Sequence, residues 1–223
     1  MEQVRVCPPA FRQATVWALY AAIAMPLIYF GTQLIAAPFF PGYSFAQDTA
    51  SMLGTTASRQ PWIFNLGAVL TGVAGLTGAF GLFRALRTVT WTALALLVGL
   101  SLVANGVLSL KAGMFPMPDP RHASWQFLMF PTLAAPVFLL IALWRQSMTL
   151  RMYLLCNAVA LLLMMPLMMH RMAPVFAEGT MQRLFALVVF VPVGVAGYAL
   201  VRRVTGTSSR VATRDTYRLT GPE

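Results

Sequence analysis

The sequence predicts an all-α membrane protein. Its expected form is a polytopic bundle of six transmembrane helices, built as three hairpins with elaborated outer loops. Three observations lead there. The chain is 58% apolar, with a mean hydropathy of +0.71. Charged residues make up 10% of its 223 positions, against roughly 25% in an average soluble domain. Those few charges are also spaced so that they divide the chain into six apolar runs, each near the roughly 20 residues a spanning helix needs. Such a composition excludes both a soluble globule and a disordered chain.

The first run is about Ala14–Ala37. It is far longer than the roughly 7–15 residues of a signal-peptide core, and Ile35-Ala36-Ala37 is a poor cleavage site, so it reads as a retained helix. The second, Trp62–Phe83, carries Gly67, Gly72, Gly75, Gly78 and Gly81. A stripe of small residues lets helix backbones approach closely in lipid, which predicts a central helix, with a dimer face as the alternative. The third run is Thr88–Leu110 and the fourth Ala123–Trp144. The fifth, Met152–Met169, and the sixth, Leu184–Val201, are shorter. Arg151, Arg171, Arg183 and Arg202 flank these two and can snorkel to the interface. Pro26, Pro131, Pro136, Pro166 and Pro192 fall inside spans 1, 4, 5 and 6, so straight helices 2 and 3 are expected among kinked ones. Residues 1–203 form one six-helix domain in this reading. Residues 204–223 form a short disordered cytoplasmic tail.

The net charge of +10 is chiefly a topology signal. Arg5, Arg12, Arg84, Arg87, Arg145, Arg151, Arg202, Arg203, Arg210, Arg214 and Arg218 fall on one side. Arg59, Lys111, Arg121, Arg171 and Arg183 fall on the other. The positive-inside rule then predicts a multi-pass protein of the bacterial inner membrane with both termini cytoplasmic. No nucleic-acid role is expected. The two cysteines form no disulfide framework: Cys7 reads as a free cytosolic thiol and Cys156 as a small core residue.

No ionisable residue lies mid-span, which argues against a proton-coupled pump or an ion-driven transporter. Thr71, Ser101, Asn105 and Asn157 are expected to make interhelical hydrogen bonds, the functional alternative being a polar spot in a lipid-headgroup or small-molecule pocket. Each outer loop carries one carboxylate, Asp48, Asp119 or Glu178, and both histidines, His122 and His170, sit at outer helix ends. The plain reading is headgroup-level polarity with ion pairs of Asp48 or Glu178 to Arg59, Arg121 or Arg183. The functional reading joins Asp119, His122, His170 and Glu178 in a metal set that activates water on a lipid ester or amide. No HxxxH, HExxH or CxxC spacing supports it. Met114 and Met117, with Met164, Met165, Met168, Met169 and Met172 around His170, offer copper(I) thioethers. A haem between His122 and His170 is the remaining variant. No cofactor is expected from these patterns. In the first loop, Pro41-Gly42 marks a turn. Asp48 would cap a short helix through about Leu53, with Ser51 as its local partner. With Phe45, Met52 and Leu53, that helix would lie over the bundle as a lid. Tyr43, Trp62, Trp125 and Phe127 fit an aromatic belt.

The outer segments also carry a resemblance. Pro41-Gly42-Tyr43-Ser44 followed by Asp48-x-x-Ser51-x-Leu53-Gly54, Asn65 with the glycines of span 2, Gly113-Met114-Phe115-Pro116 with Asp119 and His122, and Gly179-x-x-Gln182-Arg183-Leu184 are in order and at suitable spacing. Together they resemble the domain of unknown function 998 family. The resemblance implies a six-helix prokaryotic integral membrane protein with no established activity. It points to Asp48, Ser51, Phe115, Asp119, His122, Gln182 and Arg183.

The expected site is thus an outer-leaflet pocket roofed by the first loop and lined by Asp48, Ser51, Asp119, His122, His170, Glu178, Gln182 and Arg183. Its expected partners are membrane lipids or a small amphiphile, a partner membrane protein, or a second copy of the chain. The rival reading is an intramembrane metal-dependent hydrolase or lipid-modifying enzyme.

Overall fold

The computed structural model describes the backbone of residues 9–169 and 177–219, and the side chains of residues 12–165 and 177–206. His170, Arg171, Met172 and Cys7 lie outside the described residues. The helices are α1 (Pro9–Ala36), α2 (Pro61–Leu86), α3 (Thr92–Met114), α4 (Met129–Ala142), α5 (Met148–Met169) and α6 (Glu178–Leu219). Six segments are long and apolar enough to cross a membrane, α4 being counted with the turns that precede it from Pro120. α6 extends past Arg203 to Leu219.

The glycine stripe explains the centre of the bundle. Gly67, Gly78 and Gly81 of α2 face Thr32, Ala22 and Ala18 of α1, while Gly72 and Gly75 face Gly106 of α3. A Cβ at Gly81 would stand 2.7 Å from the Ala18 carbonyl carbon, so these backbones approach as closely as small residues allow. The stripe is therefore occupied within the chain. α1, α2 and α3 pack most closely, α6 lies against α1, and α4 and α5 are attached more loosely. One apolar core runs through all six helices, including Leu19, Leu82, Leu102, Leu139, Leu154 and Leu200. Asn157 Nδ2 donates to Val188 O at 2.8 Å, the interhelical bond expected of it. Thr71 instead bonds its own helix, at Gly67 O.

Three expectations change. α4 is shorter than its apolar run because Trp125 adopts a left-handed conformation (φ 61°) and short 3₁₀ turns at Pro120–Ala123 and Gln126–Leu128 take up the first residues. Pro131 then falls in the first turn of α4, where its missing N–H removes no helix bond. Pro26, Pro136 and Pro192 are interior to α1, α4 and α6. Cys156 is exposed on α5 and is no core residue.

Candidate functional site

The connections 37–60 and 115–128 and the start of α6 gather at one end of the bundle, the loop end. The first connection does not form a surface lid. Its short helix is a 3₁₀ turn, Ala50–Gly54, and Leu53 is fully buried against Ala36 and Phe64. Asp48 does not cap that turn. Its carboxylate accepts the Ser44 N–H at 2.8 Å and closes the preceding loop.

α6 holds this loop in place. Arg183 Nη1 donates to Phe45 O at 2.6 Å, Asp48 O at 2.9 Å and Gly179 O at 2.9 Å, and Nη2 donates to the Tyr43 hydroxyl. The guanidinium also lies over the Phe45 ring, 4.9 Å from its centroid. Arg183 thus spends its Nη donors on carbonyls and a phenol while its buried Nε has no partner, and the expected pairing with Asp48 or Glu178 is absent among the described residues. Tyr43 is drawn inward by these contacts and leaves the expected aromatic belt. Burial raises its phenol above the usual 10.0. Trp62, Trp125 and Phe127 stay exposed, as a belt requires. Gln182 Oε1 accepts the Ala50 N–H at 2.6 Å. Gly179 permits the approach, since a Cβ there would run into Asp48 O and Phe45 O. From α2, Asn65 Nδ2 donates to Gly54 O at 3.1 Å.

The second connection locks onto itself. Asp119 accepts the Arg121 backbone N–H at 2.8 Å and pairs with its guanidinium at 2.7 Å. That guanidinium stacks on the Phe115 ring at 3.9 Å. The hydrogen bonds from Arg121 hold the Asp119 carboxyl at about 2, below its ordinary 3.8. Lys111, buried at the end of α3, donates to the backbone and side-chain oxygens of Ser124.

His122 joins the two connections. Its Nδ1 is 2.8 Å from Phe115 O, and its Nε2 is 3.2 Å from Ser51 Oγ. Ser51 therefore partners a histidine from the other loop rather than Asp48. Asp119 is engaged with Arg121, and among the described residues no three His, Cys, Asp or Glu converge as a metal set. Of the quartet Asp119, His122, His170 and Glu178, Asp119 is taken by Arg121, His122 and Glu178 line one cavity, and His170 lies outside the described residues.

Two cavities meet here. One, of about 1090 Å³, is lined by Asp48, Lys111, His122, Ser124, Glu178 and Gln182 together with Met117, Phe127 and Phe130. The other, of about 210 Å³, lies between the helices and is mainly apolar, with Tyr29, Phe64, Met129, Phe185 and Phe190 in its wall. Ser51, Leu108, Met129 and Gln182 line both. In the inner cavity Asn105 is 6% exposed and its Oδ1 has no hydrogen-bond partner. Sequence reasoning named Ser51, His122 and Gln182 for the site, Phe115 through the resemblance and Asn105 as a mid-span polar spot, but missed Lys111 and the contact of His122 with the Phe115 carbonyl. The one available signal was polarity near the loop-end halves of otherwise apolar spans.

A family model described as "Protein of unknown function (DUF998)" matches residues 22–199. That range includes both loops, both cavities and every site residue named above. No curated protein and no solved structure matches the chain.

Proposed function

We propose that this chain, which belongs to the domain of unknown function 998 family, binds a lipid or small amphiphile in a pocket of the outer leaflet. The observation that carries the reading is the pair of neighbouring cavities that share Ser51 and Gln182 in their walls. The inner one offers apolar walls to a hydrocarbon tail. The larger one offers both charge signs and several neutral donors to a head group. A ligand site of this kind is mostly apolar with a few placed polar groups. The Lys/Arg asymmetry of the sequence supports an inner-membrane orientation with the loop end outward and both termini cytoplasmic.

The test uses the full chain purified in mild detergent and analysed by native mass spectrometry for co-purified lipid. Ala68→Phe and Ala186→Phe put bulk into the wall of the inner cavity. Bound amphiphile is expected on the wild type and lost in both variants at unchanged helicity. Wild-type protein that carries no amphiphile, and takes none up from mixed micelles, would sink the reading.

A further inference from the structure

The contact between Ser51 and His122 reaches beyond binding. A carbonyl oxygen only accepts, so the 2.8 Å contact to Phe115 O requires His122 Nδ1 to carry a proton. In the neutral ring Nε2 then holds a lone pair. Ser51 Oγ stands 3.2 Å from it, which makes the hydroxyl the donor and the imidazole the acceptor. Hydroxyl, base and orienting group stand in the sequence that activates a serine, with a backbone carbonyl in the orienting place. The separation is at the long end of the roughly 2.6–3.2 Å range for such pairs, as is common without substrate. Ser51 also lines both cavities, at the level where an amphiphile's tail would join its head.

We propose that Ser51 is a nucleophile activated by His122, and that the site cleaves an acyl ester linking tail to head. This rests on the pocket reading above. Ser51 Oγ adds to the ester carbonyl carbon while its proton passes to His122 Nε2. The adduct collapses, the bond to the leaving alcohol breaks, and the imidazolium returns the proton to that alcohol. Water then adds to the acyl-serine with Nε2 taking its proton, the carbon–Oγ bond breaks, and Ser51 Oγ takes the proton back. One ester and one water become one acid and one alcohol, with no redox change. Gln182 supplies the donor for the developing oxyanion. A backbone N–H must meet an oxygen, so the 2.6 Å bond from Ala50 fixes Oε1. The amide NH₂ has no protein partner among the described residues and belongs to a side chain lining both cavities.

The experiment treats the full chain in lipid nanodiscs with a long-chain alkyl fluorophosphonate, then maps the adduct by intact-mass and peptide mass spectrometry. Binding of a fluorescent ether-linked amphiphile, which has no ester to cleave, is measured on the same samples. The expected result is a single adduct on Ser51. It is absent in Ser51→Ala and forms about 100-fold more slowly in His122→Ala, while the wild type binds the ether amphiphile. Wild-type protein that binds the ether amphiphile but leaves Ser51 unlabelled overturns the nucleophile and spares the pocket. Loss of both signals overturns both readings. Labelling that is unchanged in His122→Ala, or spread over exposed serines such as Ser147, overturns activation by His122. Where Ser51→Ala does not fold, the wild-type adduct map still decides the matter.

Discussion

The two loops that build the site are held by opposite means. Connection 37–60 is fastened from outside: Arg183, Gln182 and Asn65 reach it from α6 and α2 and bond its backbone. Connection 115–128 is fastened from within or from its own helix: Asp119, Arg121 and Phe115 stack on one another, and Lys111 of α3 reaches Ser124. Among the described residues one hydrogen bond crosses between the loops, His122 to Ser51. The first loop has bonds of its own, such as the Ser44 N–H to the Asp48 carboxylate, and is tied to the bundle besides. The second keeps its shape by itself and is registered against the first at one point. The site thus joins a half tied to α2 and α6 with a half tied chiefly within itself and to α3.

Variants separate these two modes. The largest effect is expected from Arg183→Ala, which leaves the carbonyls of Phe45 and Asp48 without their shared donor. Hydrogen bonds to a charged group contribute about 1.5–3 kcal/mol each, so a loss of about 3 kcal/mol is expected. Thermal unfolding in detergent should show it, with proteolysis appearing in 37–60 before 115–128. Equal protection of both loops in this variant would break the comparison. Gly179→Ala follows. Its Cβ would meet two backbone carbonyls, and overpacking of this kind costs about 1–3 kcal/mol. A variant as stable as wild type would show that α6 is free to retreat from the loop. Ser51→Ala should cost about 1 kcal/mol, and hydrogen exchange should rise across 115–124 more than across 44–54. The smallest effect is Asp119→Asn, confined to the second loop. The Asp119 carboxyl is depressed to about 2, so its stabilisation is fully present above pH ~4. It is lost as pH falls through about 2. Trp125 emission should change over that window in wild type and not in Asp119→Asn.

The helices were legible because bilayer thickness sets their length and every missing charge counts toward them. The glycines of α2 were legible for the same reason, since close packing in lipid has few other means. Gln182 entered through the family resemblance and Arg183 both through it and as an ion-pair candidate, and the structure gives them work on the backbone of the first loop. The partner of Ser51 was not legible. Spacing reports only near neighbours, and it offered Asp48, three residues away, where the structure uses His122, 71 residues away. Asp119 and His122 looked like one donor set because they are three apart. The 3₁₀ turn at Pro120–Ala123 instead sets Asp119 on Arg121 and His122 on the other loop. α4 was overestimated because an apolar run carries no mark of the left-handed residue that stops it.

In the proposed pocket, the unpartnered Oδ1 of Asn105 would make the inner cavity selective. A purely hydrocarbon occupant would shut that oxygen away from water and leave it unpaired, at about 1–3 kcal/mol. That corresponds to roughly a 5- to 150-fold preference for an occupant that brings a hydroxyl or amide hydrogen to that depth, or leaves room for a water there. In that reading this one unpartnered amide oxygen, set in a mainly apolar wall, would act as a ruler, measuring how far along an occupant its first polar hydrogen lies.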